Sequence, residues 1–170
     1  MTVNEQLSLA IAEQYGAALT MLENTIVNCD EALWQDSKRE IVISQVIYHT
    51  LFFVDFYLSK DKSEREIFKG KLGDDLMGER TDGMEWTKIY TRDELRNYLN
   101  DIRNKADKRF KEITLEELNN ASVFEWHGSS VLSSLLYDLR HIMLHVGALH
   151  VRLNAVGKVP LKWVGKASII

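Results

Sequence analysis

Apolar residues in this chain recur with the 3.6-residue period of an α-helix, and no convincing alternating strand pattern appears. Two of the periodic segments begin with a capping box, Ser37 with Glu40 and Thr91 with Glu94. We predict an all-α fold, and four long amphipathic helices imply a four-helix bundle. The predicted helices run approximately over Asn4 to Asn28, Ser37 to Leu58, Thr91 to Thr114, and from just after Ser129 to Ala155.

The lengths of the connections indicate the order in which the helices pack. Residues 29–36 form a short link, whereas residues 59–90 form a long one that contains four glycines and many charges. A long connection permits a crossover, which we predict between the second and third helices, with a helical turn near Glu64 to Phe68. The link over residues 115–128 carries enough apolar residues to pack on the bundle. We expect a single domain over residues 1–170.

Composition limits the classes of partner. The chain has 170 residues, a net charge of −4 and no concentration of Lys and Arg, which disfavours nucleic acid as a partner. Met1 to Ala10 lacks the pattern of a secretion signal, and the apolar run from Ile41 to Leu58 is interrupted by His49 and Asp55. We therefore expect a cytoplasmic protein with no membrane partner. The single Cys29 excludes an intrachain disulfide or a cysteine pair that binds zinc.

The second predicted helix is apolar almost all round, so both of its faces must be covered. One face can serve the core and the other a neighbouring helix or a second subunit, which leads us to expect a homodimer. His49 lies among aromatic residues in this helix. A buried imidazole needs a hydrogen bond, a metal ion or a solvent-filled pocket, and Gln45, one turn earlier, is the simplest partner.

Three histidines in the middle of predicted helices suggest a metal site. His141 and His145 are four residues apart, which leaves them about 40° apart on one helical face, so two imidazoles can share one ion. His49 is the third ligand that we predict. Three imidazoles leave at least one coordination position open, as in catalytic rather than structural metal sites. Nitrogen donors suit a divalent Zn, Ni, Cu or Fe ion, and the spacing does not choose among them.

Other polar residues near this face have competing interpretations. Asp138, one turn before His141, is the catalytic residue that we predict, in an orienting role: its carboxylate would hold an imidazole N–H. The alternative is a surface aspartate. His150 lies about 140° from His145 around the helix, which assigns it to packing or to a subunit contact. His127, beside Trp126 in a loop, could reach the rim of a pocket, but we expect it to be exposed to solvent.

The fourth predicted helix carries a specific pattern: His141, then His145, Gly147 and Leu149. This pattern resembles the closing motif of the DinB and YfiT-like superfamily of metal-dependent four-helix-bundle proteins, in which two histidines precede a glycine, a glutamine and an aliphatic residue. His49 matches the ligand that the family carries on its second helix. The resemblance spans nearly the whole chain.

The resemblance has departures as well as matches. Ala148 stands where the family usually has glutamine, and Val146 where arginine is common, whereas Thr114 to Leu118 resembles the usual approach to the last helix. The resemblance implies a bundle with a long crossover after the second helix, frequent dimerisation, and a divalent metal at the histidine triad.

Established activities in the family include reactions of low-molecular-weight thiols, which gives our leading hypothesis for function. The chain would be a metal-dependent transferase in which the metal activates a small thiol for attack on an electrophilic small molecule. Metal-dependent hydrolysis is the nearest chemical variant. A second class is a binding protein that captures a metal or small ligand without turnover, for example in a stress response. A third is a structural helical dimer whose histidines only satisfy hydrogen bonds.

Overall fold

The computed structural model of the protein describes residues 1–36, 42–74, 88–156 and 162–170. No strand occurs within these ranges, so the prediction of an all-α fold is confirmed. The long helices are α1 (Val3–Asn28), α3 (Ile43–Tyr57), α5 (Arg92–Glu112) and α7 (Val131–Ala155). Between them lie the short helices α2 (Glu31–Trp34), α4 (Lys62–Ile67) and α6 (Leu115–Asn119), and a 3-10 turn over Glu125–His127.

Side-chain caps fix where three of the long helices begin. Thr91 and Glu94 form the predicted reciprocal capping box at the start of α5, and Thr2 forms a second one with Glu5 before α1. Ser130 caps α7 by accepting a hydrogen bond from a backbone N–H in its first turn. The helix α3 follows Val42 without a side-chain cap, and the capping box predicted at residues 37–40 lies outside the described residues.

The four long helices contribute to one hydrophobic core. Both α1 and α3 pack against α5 and α7, whereas α1 and α3 make only a small contact with each other. The fully buried large side chains include members of α1, α3 and α5: Tyr15, Leu19, Leu22, Ile26, Ile43, Ile47, Tyr48, Leu51 and Tyr98.

Hydrogen bonds between α3 and α5 show that these two helices run in the same direction. The Tyr90 backbone N–H, just before α5, donates to the Ser44 hydroxyl near the start of α3. Near the other end, the Lys105 ammonium donates to the Asp55 carboxylate. Two parallel helices can follow one another in the chain only if the connection leads back to the starting end of the first. This requirement accounts for the long connection between α3 and α5.

The C-terminal residues 162–170 lie against α1. Ile169 is buried in the core, and the Ala167 backbone N–H donates to the Glu13 carbonyl. Gly16 permits this close approach, since a Cβ atom there would lie 2.2 Å from the Ala167 carbonyl oxygen. The link before α7 also packs inward, as expected, with Leu118 and Phe124 buried. In the parts of the chain described here, no helix combines the length and apolar character needed to cross a membrane.

Candidate metal centre

Two packed helices bring the three predicted histidine ligands together. His49 lies in the middle of α3, and His141 and His145 lie one turn apart on α7. The Nε2 atom of His141 is 3.3 Å from that of His49 and 3.1 Å from that of His145. The ligand atoms of all three residues lie within 4.8 Å of one another.

The separations of 3.3 and 3.1 Å from the His141 Nε2 atom match the geometry that a bound ion requires. With bonds of about 2.0–2.1 Å, a tetrahedral Zn²⁺ holds neighbouring nitrogen ligands about 3.3–3.4 Å apart. The three imidazoles present the same ring nitrogen to one point, which is the donor set of a mononuclear site with an open position. All three side chains are only partly buried, so a small molecule can reach that point from solvent.

Aromatic rings form one wall of the centre. The ring centroid of Phe53 lies 4.8 Å from that of His49 and 5.6 Å from that of His141, with an edge-to-face arrangement in both pairs. Tyr57, one turn further along α3, contacts His141 with centroids 6.1 Å apart. These contacts restrict the orientations of the imidazoles and exclude water from one side of the site.

Gln45 was the hydrogen-bond partner that the sequence predicted most simply for His49, but its amide N–H group points elsewhere. Its Nε2 atom donates to the Lys88 carbonyl oxygen at 2.8 Å, which ties α3 to the chain just before α5. His49 instead contacts the two histidines of α7 and the Phe53 ring.

Asp138 is fully buried, so the alternative of a surface aspartate is wrong. Its Oδ2 atom accepts a hydrogen bond of 3.0 Å from the Tyr15 hydroxyl of α1, and within the described ranges its buried Oδ1 atom has no hydrogen-bond partner. Burial raises the pKa of this carboxyl well above its usual value, and the bond from Tyr15 opposes part of that rise. Its orienting role at the metal centre stays a prediction.

His127 is buried, and the expectation that it would be exposed is wrong. Its ring stacks on Tyr137 with centroids 3.8 Å apart, and its Nδ1 atom lies 2.8 Å from the Ser134 hydroxyl oxygen. Burial lowers the pKa of His127 to about 4, so the imidazole is neutral at physiological pH. The neighbouring Phe124 and Trp126 were the signal in the sequence for an aromatic cluster at this position.

His150 belongs to a different contact, as its position around the helix predicted. Its half-buried imidazole lies next to the backbone of Met21, which places it between α7 and α1. Burial lowers the pKa of His150, and the nearby Met21 backbone opposes part of the shift.

Comparisons with family models, with curated proteins and with solved structures found no match to this chain. The resemblance to the DinB and YfiT-like superfamily therefore rests on the residues that carry it. The convergence of three Nε2 atoms is the strongest observation that bears on function.

Proposed function

We propose that the protein is a divalent-metal-dependent enzyme whose ion is held by His49, His141 and His145. The observation that carries this proposal is the convergence of the three Nε2 atoms, with neighbouring separations of 3.1 and 3.3 Å. Imidazoles from two helices provide a rigid donor set and leave room for a ligand from solvent. Zn, Ni, Cu and Fe ions all suit these donors.

The reaction that we propose is transfer of a low-molecular-weight thiol to an electrophilic small molecule. A divalent ion held by these residues would lower the pKa of a bound thiol, so that the sulfur would react as a thiolate at neutral pH. The thiol proton would leave to solvent, the sulfur electron pair would form a bond to the electrophilic carbon, and the leaving group would depart with the electrons of its own bond. Phe53 and Tyr57 keep water away from one side of this exchange.

Asp138 acts in this proposal as a positioning residue. It is buried three residues before His141 on α7, and its hydrogen bond from Tyr15 links that turn to α1. The Leu135 carbonyl oxygen also lies 2.8 Å from the Tyr15 hydroxyl and shares its single proton, so one phenol contacts two points of the helix. This anchor fixes the rotation of α7 and hence the direction in which His141 and His145 project.

We further propose that the four long helices form the bundle with a crossover that the DinB and YfiT-like resemblance implies. The cyclic packing of α1, α5, α3 and α7 supports the bundle, and the common direction of α3 and α5 supports the crossover. We also propose that the protein forms a homodimer. Its support is a set of exposed apolar side chains on α7, with exposed fractions of 55% for Leu136, 68% for Leu144 and 72% for Val151.

Capture of a small ligand without turnover is the second function that we consider. The observation that favours it is the burial of Asp138, because a carboxyl with no exposed surface cannot exchange a proton directly with a ligand. Metal-dependent hydrolysis remains the chemical variant of the enzyme hypothesis.

Measuring the metal content tests the first element of the proposal, which is that the three histidines hold a metal ion. Tag-free protein should hold close to one divalent ion per chain by mass spectrometry, and a variant with His49, His141 and His145 changed to alanine should hold none. His150→Ala is the matched control, because this histidine also lies on α7 but contacts Met21, and it should retain the ion. Wild-type protein that takes up no metal even after reconstitution would overturn the metal centre.

Thiol dependence then separates the remaining functions. A transferase should consume an electrophilic probe only when a small thiol is added, whereas a hydrolase should consume it at the same rate without one. Saturable binding without product across a panel of thiols and electrophiles would identify a binding protein.

A further inference from the structure

An aromatic surface begins at the metal centre and continues along α3 to α4. The four phenylalanines at its centre are half-buried, and Trp126 at its far side is 61% exposed. We call this surface the aromatic shelf, and its members are Phe52, Phe53, Phe56, Phe68 and Trp126.

Ring contacts make the shelf continuous. The centroids of Phe52 and Phe53 are 5.3 Å apart, and Phe68 lies 5.2 Å from Phe52 and 5.1 Å from Phe56. Phe124, which is buried, connects Phe56 to Trp126 with centroid distances of 5.1 and 5.8 Å. Apolar residues on a protein surface are usually scattered singly, and a contiguous patch marks a binding site more often than not.

The shelf meets the metal centre at one residue. Phe53 contacts the rings of both His49 and His141, with centroids 4.8 and 5.6 Å away. A molecule that lies on the shelf therefore has its edge next to the point where the three Nε2 atoms converge. Because the shelf and the metal centre are joined in this way, we infer that one molecule occupies both of them.

The cations beside the shelf are held by other groups. The Lys105 ammonium, 5.8 Å from the centroid of Phe68, is bound to Asp55. The Arg65 guanidinium, 6.0 Å from the centroid of Phe124, donates to the Val123 carbonyl. The members of the shelf carry no charge of their own and offer ring faces and edges, which suits a planar apolar group.

We propose that the aromatic shelf binds a planar aromatic portion of the substrate while the reacting group lies at the metal centre. The electrophile is then an aromatic or similarly flat apolar compound rather than a small polar one. This inference rests on the proposed function, since it takes the histidine triad as the reacting end of the site.

Two metal-binding probes that differ only in their apolar part test the inference. Acetohydroxamate and benzohydroxamate present the same chelating group, so their affinities for Co²⁺-loaded protein, measured from the visible spectrum, isolate the contribution of the phenyl ring. We expect benzohydroxamate to bind about tenfold more tightly or better, which corresponds to about 1.4 kcal/mol. Phe53→Leu and Trp126→Ala should each reduce this preference, measured as the ratio of the two affinities, several-fold.

Trp163→Ala is the matched control, because Trp163 is also an exposed tryptophan, at 75%, but lies outside the shelf on the C-terminal segment. It should leave both affinities unchanged.

Equal affinity of wild-type protein for the two hydroxamates would contradict binding at the aromatic shelf but would leave the metal centre intact. Failure of the protein to hold Co²⁺ would overturn the proposed function itself. A change of oligomeric state in Phe53→Leu or Trp126→Ala, with no change in probe preference, would assign the surface to a contact between copies and also overturn the inference.

Discussion

Burying a carboxylate without a full set of hydrogen bonds costs free energy, and Asp138 is such a residue. The protein compensates by raising the pKa of Asp138, so that the neutral acid is favoured in the folded state. Because the folded state holds this proton more tightly than the unfolded state, the stabilisation is complete below the unfolded pKa of about 3.9 and is lost as the pH rises through the folded pKa.

Asp138→Asn should therefore flatten the alkaline side of the stability profile. The amide oxygen can still accept the Tyr15 hydrogen bond, and no charge is buried at any pH. We expect the stability of the variant, measured as its free energy of unfolding, to rise relative to that of wild type as the pH increases from 4 to 8. Urea unfolding in the presence of a chelator, across this pH range, measures the difference. Parallel profiles would show that Asp138 is ionised in the folded protein.

His127 predicts the opposite dependence. Its pKa is lowered to about 4 in the fold, whereas the unfolded value is about 6.5. The neutral ring therefore stabilises the protein fully above pH 6.5, and this contribution is lost as the pH falls towards 4, by up to about 3 kcal/mol at about 1.4 kcal/mol per unit. In His127→Phe, which keeps the stack on Tyr137, that acid-dependent loss should disappear. Thermal unfolding of both proteins between pH 4 and pH 7 would reveal it, and equal acid sensitivity would contradict the assignment.

At the scale of elements, the periodicity of the sequence was sufficient to predict the long helices but not the assembly of the candidate site. The ends of α1, α5 and α7 follow from caps and spacing, and so does the shared face of His141 and His145. The meeting of this pair with His49 depends on how α3 packs on α7, which local sequence does not encode.

The errors in the prediction have the same origin. The alternative of a surface Asp138 fails because Ile142, one turn later and about 40° away around the axis, is also fully buried. His127 is covered by Tyr137 of the next helix and by Tyr57, which is distant from it in sequence. Burial of this kind is created by packing between elements.

The contact between the C-terminal segment and α1 depends on a single missing side chain. In Gly16→Ala the new Cβ would meet the carbonyl oxygens of Ala167 and Ser168 at 2.2 and 2.7 Å, so the segment must move. We expect a loss of about 1–3 kcal/mol in the free energy of unfolding and faster hydrogen exchange in residues 162–170.

Gly147→Ala provides the control for this change. Gly147 also lies within a long helix, but a Cβ there meets no atom within 4 Å. Relief of the glycine penalty should stabilise this variant by about 0.5–1 kcal/mol. If both substitutions change stability in the same direction, then the close approach at Gly16 does not hold the segment.

At the scale of the whole molecule, α7 serves three surfaces. Its buried face carries Ile142, Val146 and Leu149 into the core, and a second face presents His141 and His145 to α3. The remaining face is exposed and carries the apolar side chains of Leu136, Leu144 and Val151 beside the charged Arg140. One helix would then position the ligands and pair two copies of the chain.

The homodimer predicts that charges on this third face separate the copies without unfolding either one. The double variant Leu136→Glu and Val151→Glu avoids both histidines of α7, and like charges would then face each other across a symmetric interface. We expect sedimentation equilibrium to find a dimer for wild type and a monomer for the variant, with unchanged helical content by circular dichroism. Leu9→Glu on α1, where the side chain is 48% exposed, controls for the loss of an exposed leucine and should remain dimeric. A wild-type chain that sediments as a monomer at every concentration tested would refute the dimer, while the metal centre, built from one chain, would be unaffected.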